Sequence, residues 1–355
     1  MAKVAVVTGA NQGLGLALVR GLCRRLGADG IVYLTARDRG RGERAAADLE
    51  AEGLSPRLEM LDVRDDASVM ALAQALGERH GGVDIVLSNA AARIFPQVPA
   101  EQQVRTFVDT NNHGTLRVIK GFRPLLNDGA RFIVVASSFG TLASLDPRLH
   151  HLFDVGCMSL TDLAKVTDDY VAAVETGRAA AQGWPAWINP PSKVGQVAAV
   201  KVWARELADE ATRRDILVNA ACPGLVDTDA SRPWFDDTSG ALSPDDAATD
   251  VLWPATLPPA PASPTANSSS TARSSPSHHR RPSGSPREPA SQAGQITNRS
   301  TGRFNGDPAA TSPEPPSGCG IEDPADQPGS RAERRLSGAV PVYAEPDQDV
   351  CGVDM

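Results

Sequence analysis

Short runs of unbroken apolar residues, separated by longer mixed segments, limit what this chain can fold into. Val4-Ala5-Val6-Val7, Ile85-Val86-Leu87, Phe132-Ile133-Val134-Val135 and Ile216-Leu217-Val218 show no alternation of apolar and polar positions. A strand with one wet face alternates, so runs of this kind belong to strands buried on both faces, as in a parallel sheet covered by helices. Strands are expected at 4–8, 31–36, 57–61, 83–88, 131–137 and 216–221. Helices are expected near 13–26, 41–52, 66–80, 101–125, 192–212 and 244–251. Strand–helix alternation with right-handed crossovers gives an α/β fold, a doubly wound parallel sheet in a single domain.

The pattern stops near Leu257-Pro258-Pro259. From Ala260 onward Pro, Ser, Ala, Arg and Gly dominate, and such a stretch cannot bury enough apolar surface to offset its ordering entropy. The expected organisation is one globular domain over residues 1–259 and a disordered Pro/Ser/Arg-rich tail over 260–355, with a weak apolar island at Val340-Pro341-Val342-Tyr343. Two readings of the tail stand. It is either a flexible interaction tail carrying Arg280-Arg281 and many serines, or an ending replaced by a shifted reading frame. The second is preferred, because no final strand follows the helix-like 244–252 segment.

A formal net charge of -8 gives no reason to expect nucleic acid or an anionic membrane as partner. No apolar run reaches the roughly 18–20 residues of a spanning helix, and Met-Ala-Lys leads straight into the first strand with no signal peptide. Cys23, Cys157, Cys222, Cys319 and Cys351 lack C-x-x-C spacing, which argues for reduced thiols in a cytoplasmic setting and against a disulfide framework. The pairs His150-His151 and His278-His279 have no third ligand at metal-like spacing, so no metal site is expected.

Between the first strand and first helix lies Thr8-Gly9-Ala10-Asn11-Gln12-Gly13-Leu14-Gly15. Gly9 permits a tight turn, Gly13 lets backbone approach a pyrophosphate, and Gly15 allows close helix–strand packing. The phosphates would meet the helix N-terminus, where free N–H groups and the dipole favour negative charge. This placement makes the fold Rossmann-type and the ligand a dinucleotide. Arg37, in Thr35-Ala36-Arg37-Asp38 at the end of the second strand, stands where an adenosine 2′-phosphate would lie, and no carboxylate stands at the strand tip to grip a free 2′-hydroxyl. NADP is therefore expected over NAD, although Asp38 could instead pair with Arg37 or Arg41, and Asn11-Gln12 add no second cation.

The spacing G-x-x-x-G-x-G resembles the short-chain dehydrogenase/reductase family. Leu34–Asp38, Ala51–Arg57, Gly183-Trp184-Pro185, Ala221-Cys222-Pro223-Gly224 and the long excursion between Ser138 and Gly183 resemble its monomeric NADPH-dependent carbonyl reductases, over about residues 3–259. The resemblance implies a cytoplasmic monomer acting on a small-molecule carbonyl substrate. It also implies that Asp62-Val63 meet the adenine, that Ser88-Asn89-Ala90-Ala91 stands for the family's N-N-A-G, and that Pro223, Gly224, Val226 and Thr228 close over the nicotinamide. From the residues alone, Asp62 reads as a cap on the helix beginning near Ala67, and both roles can coexist.

The family's chemistry needs a serine to steady the carbonyl, a tyrosine as general acid, a lysine on the ribose, and an asparagine that positions a water. Ser138, Lys193 and Asn111 match the serine, lysine and asparagine. Anchored without a gap on Gly183-Trp184-Pro185 and Lys193, Asn189 falls on the tyrosine position. A carboxamide cannot release a proton near neutral pH. Tyr33 belongs to a buried strand, Tyr170 to a helical core position and Tyr343 to the tail, so none is a ready substitute. Pro190 and Pro191 are expected to delay the start of the Lys193 helix by about one turn, leaving Asn189 in a loop or cap. Three functions follow: an impaired carbonyl reductase, a catalytically silent NADP-binding protein, or a pocket repurposed for a non-redox reaction.

Overall fold

A computed structural model of the chain describes residues 2–235 and 237–258; the expected disordered tail, 260–355, lies outside the described residues. The elements in chain order are β1 (Lys3–Val7), α1 (Gly13–Leu26), β2 (Gly30–Ala36), α2 (Arg39–Ala51), β3 (Arg57–Met60), α3 (Asp66–His80) and β4 (Val83–Ser88). They continue with α4 (Ala100–Val108), a π-helical turn (Asp109–His113), α5 (Gly114–Phe122), β5 (Leu126–Val135), α6 (Leu160–Glu175), α7 (Ala179–Gln182) and α8 (Asn189–Glu206). The last are α9 (Ala208–Arg214), β6 (Leu217–Ala221) and α10 (Pro244–Ala255).

The strands form one six-stranded parallel sheet in the order β3-β2-β1-β4-β5-β6. Strand order reverses between β1 and β4, and a crevice outside the carboxyl ends of strands opens at such a point. Successive residues of each central strand enter different cores, as the period of two requires. Val4, Val6, Tyr33, Val86, Phe132 and Val134 pack with α3 to α6 and α8. Ala5, Val7, Val32, Leu34, Ile85, Leu87 and Ile133 pack with α1, α2 and α10. The expected doubly wound sheet is therefore present.

Local signals explain where four of the helices begin. Asp38, Asp65, Ser159 and Ser243 accept hydrogen bonds from first-turn N–H groups of α2, α3, α6 and α10, worth about 1 kcal/mol each. Two expected boundaries need correction. The single helix expected near 101–125 is split by the π turn into α4 and α5 and ends in a 3-10 turn, Arg123–Leu125. The Lys193 helix does not start late: α8 begins at Asn189, which is its first helical residue and neither loop nor cap. Pro190 and Pro191 fall in the first turn, where their missing N–H groups would have had no intrahelical acceptor.

At the far end, α10 covers α1, and a Cβ on Gly21 would stand 2.3 Å from Leu252 Cδ1. Arg131 of β5, buried at 4% exposure, donates to the carbonyls of Leu257 (3.3 Å), Pro258 (3.0 Å) and Asp215 (2.6 Å) and pairs with the Asp215 carboxylate. These bonds pin the last described residues to the sheet. Cys23 and Cys222 carry free thiols. Among the described residues no helix is long and apolar enough to cross a membrane, and no cluster of His, Cys, Asp or Glu could hold a metal ion.

Candidate active site

The glycine loop is shaped by backbone that only glycine accepts. Gly9 has φ +63°, and a Cβ there would lie 2.7 Å from Ala90 Cα. A Cβ on Gly15 would lie 2.4 Å from the Gly9 carbonyl oxygen. The loop is also stitched to the end of β4. Thr8 Oγ1 accepts from the backbone N–H groups of Asn89 and Ala90, both at 2.9 Å, and Asn89 Nδ2 donates to the carbonyls of Thr8 and Gly9. Gly13, at φ +54°, is more open, since its Cβ would meet Thr228 Cγ2 at 3.5 Å. No side chain caps α1 at its N-cap residue Gln12, in contrast to α2, α3, α6 and α10. Uncapped first-turn N–H groups of Gly13, Leu14 and Gly15 at a loop this close to the sheet suit a bound diphosphate.

Next to this loop, Asn11, Gln12, Arg41, Arg44 and Asp48 line a groove of about 420 Å³. Arg41 and Arg44 supply the cations that Asn11-Gln12 lack; their shared spacing on one face of α2 was the available signal. Arg37 is exposed just beyond β2. Asp38 forms no ion pair with it and instead caps α2 through Arg41 N (2.8 Å). Asp62 is not a helix cap, because Asp65 fills that position. The Asp62 carboxylate accepts from the backbone and side chain of Arg64, and burial, which works against its charge, is outweighed by Arg64 and by the charge of Arg37, so its pKa is lowered. Val63 is buried, with Cγ2 2.9 Å from where a Gly114 Cβ would be.

After β6 the chain folds back across the glycine loop. Gly224 has φ +75°, Asp227 N donates to Leu242 O (2.8 Å) and Leu242 N to Leu225 O (2.8 Å), with Val226 bridged to Leu242. This brings Thr228 beside Gly13. Trp234, a few residues on, donates from Nε1 to Ile94 O (3.3 Å) and stacks on Trp187 at 5.5 Å between ring centroids; Trp187 meets Phe139 at 5.1 Å. Phe139, Trp187 and Trp234 make an aromatic wall that residue order does not reveal, since they come from three distant segments.

Ser138 opens a 3-10 turn, Ser138–Gly140, immediately beyond β5, with its residue exposed and Ser137 capping the turn. The turn rests on α8: a Cβ on Gly140 would lie 3.2 Å from the Lys193 carbonyl oxygen. Lys193 Nζ donates to the Val135 carbonyl (3.3 Å) and to Gln196 Oε1 (2.8 Å). Burial lowers its pKa to about 8, with Cys222 opposing weakly. Asn111 sits in the π turn at 1% exposure. Its Oδ1 accepts from Ala92 N (2.8 Å) and its carbonyl from Thr115 Oγ1 (2.6 Å) and Gln196 Nε2 (3.0 Å). Where the resemblance implies a water linking Asn111 to Lys193, the Gln196 carboxamide makes that link directly. Neither described tyrosine reaches this set. Tyr33 OH pairs with His80 Nε2 (2.8 Å), and Tyr170 is buried against Trp184 with its OH lacking a hydrogen bond among the described residues and its pKa raised by desolvation. Tyr343 lies outside the described residues.

Known proteins share this architecture. Residues 3–145 match the family model described as short chain dehydrogenase. The chain is 35% identical over 265 residues to carbonyl reductase (NADPH) 1 of Rattus norvegicus and 36% identical to that of Homo sapiens, in each case covering 74% of this chain and 93% of the relative. The solved structure of salutaridine reductase from Papaver somniferum superimposes with a TM-score of 0.62 at 22% identity, covering 72% of this chain and 96% of that one, which speaks to the fold alone.

Proposed function

The chain belongs to the short-chain dehydrogenase family of oxidoreductases, and on that premise we propose that it reduces a ketone, aldehyde or quinone with NADPH, at a rate limited by the want of a phenolic acid. One observation carries the reading: the Lys193 ammonium is held between the Val135 carbonyl and Gln196, directly behind the turn that presents Ser138. Bound along the glycine loop, NADPH would supply the hydride. Thr8, Gly9, Asn11, Gln12, Gly13, Leu14 and Gly15 would hold its diphosphate, Asp62, Val63, Asn89 and Ala90 its adenosine side, and Pro223, Gly224, Val226 and Thr228 its nicotinamide end. Arg37, backed by Arg41 and Arg44, supports NADPH over NADH, because a 2′-phosphate rewards clustered guanidinium groups.

Ser138 would donate its hydroxyl hydrogen to the carbonyl oxygen as negative charge develops there. Lys193, with a pKa of about 8, can release a proton near neutral pH, which Asn189 at the head of α8 cannot. Asn111 anchors the floor of the site. The aromatic wall of Phe139, Trp187 and Trp234 suits a flat apolar substrate such as a quinone. We take the protein as a cytoplasmic monomer.

Asn189 favours a second reading, a catalytically silent NADP-binding protein. The two separate cleanly. NADPH fluorescence titration followed by NADPH oxidation with a quinone should give binding and slow turnover that Ser138→Ala abolishes. Binding with no turnover at any quinone concentration would select the silent reading, and no binding would sink both.

A further inference from the structure

The residues that flank Lys193 form a buried amide network whose effect on the lysine the carbonyl reduction proposed for this site does not specify. Ser192 and Gln196 lie on α8 on either side of the lysine, and Asn111 and Asn112 are consecutive in the π turn. Asn112 Nδ2 donates to Ser192 O (2.9 Å), and Ser192 Oγ donates to Asn112 Oδ1 (2.7 Å). Gln196 Nε2 donates to Asn111 O (3.0 Å) and Thr115 Oγ1 (3.2 Å). Its Oε1 is thereby turned back toward α8, where it receives Lys193 Nζ at 2.8 Å. Asn112, Ser192 and Gln196 are 4%, 1% and 2% exposed, so water does not compete for these bonds.

We propose that Gln196 is a positioning residue for Lys193: its carboxamide, oriented by Asn111 and Thr115, fixes the direction of the ammonium group that serves the carbonyl-reducing site. The geometry leaves little freedom. A primary amide has two donor hydrogens and one oxygen. With the nitrogen committed to Asn111 O on the π turn and Thr115 Oγ1 on α5, the oxygen must face the lysine. An ammonium has three donors, and Gln196 and Val135 take two, which leaves one donor for a ligand. The hydrogen bond also favours the charged amine, offsetting part of the effect of burial. Cys222 is the other titratable group that acts on Lys193. In a site where Asn189 offers no titratable group, the lysine's direction sets where a proton is released.

This role rests on the reductase reading, but its test does not require turnover. Lysine-labelled NMR of the full chain follows the titration of Lys193, assigned through Lys193→Arg. Gln196→Glu, which keeps the acceptor and adds a charge, should raise the midpoint by about one unit or more. Gln196→Met, close in shape but without the acceptor, should lower it. In the quinone assay Gln196→Met should reduce kcat about tenfold, more than it raises KM for NADPH, and Gln196→Glu should move the falling alkaline limb of the pH profile upward. If neither variant moves the Lys193 midpoint while both melt like the native chain, the proposal is overturned. If Gln196→Met fails to fold, Gln196→Glu alone decides, because an unmoved midpoint there overturns the proposal equally. A moved midpoint with no NADPH binding would keep the contact and remove the reductase reading instead.

Discussion

The two ends of the candidate site are built on different physical terms. At the glycine loop the determinants are backbone shapes: positive φ at Gly9 and Gly13, the contact of Gly15 with the Gly9 carbonyl, and hydrogen bonds from Asn89 and Ala90 to Thr8. Around α8 they are side-chain identities, because proton transfer depends on which atom ends a side chain. The loop keeps every glycine its role needs. The head of α8 carries Asn189-Pro190-Pro191 and a network of buried amides around Lys193. The fold tolerates these changes, since prolines cost little in a first helical turn and paired amides are satisfied. A scaffold can thus remain whole and able to hold a nucleotide while its proton chemistry changes.

The largest effect should come from the lysine. Lys193→Met should reduce quinone turnover by about 10²–10⁴. In the native chain, turnover should fall as pH rises through about 8, because the ammonium is the form that carries the proton; Lys193→Arg, which does not titrate in this range, should flatten that limb. A pH-independent native profile would remove Lys193 as the acid. Breaking the other end comes next. Gly9→Ala forces a Cβ against Ala90 at φ +63°, which should cost about 1–3 kcal/mol, read as a lowered Tm together with lost NADPH binding. Arg37→Ala combined with Arg44→Ala should weaken NADPH about tenfold while leaving NADH affinity unchanged, as a paired titration would show. Equal loss for both nucleotides would mean that no 2′-phosphate is read there. The smallest effect on the site itself belongs to Asn112→Ala, which strands Ser192 in the core and should lower Tm, by about 1–3 kcal/mol of stability, without altering nucleotide preference.

Much of this was legible from residue order. The unbroken runs at Val4–Val7 and Phe132–Val135 announced strands buried on both faces, and each now divides its side chains between two cores. The glycine spacing announced the loop, because φ > 0 and close approach leave no alternative residue. What stayed hidden depends on side chains meeting across distant segments. Gln196 looks like any polar position on a helix until the π turn places the Asn111 carbonyl opposite it. The π turn itself leaves no mark, since Asp109–His113 reads as continuous helix. Pro190 and Pro191 misled because a proline pair signals a boundary without saying on which side of Asn189 it falls. Arg41 and Arg44 became visible only once α2 was set beside Asn11 and Gln12.

The central claim is that nucleotide binding is intact and the phenolic acid is missing, and one paired measurement tests it: NADPH affinity and quinone turnover in the native chain and in Asn189→Tyr. The account predicts affinities within about twofold of each other and turnover higher in the tyrosine variant by up to about 10²–10⁴. Equal turnover in the two proteins would contradict it.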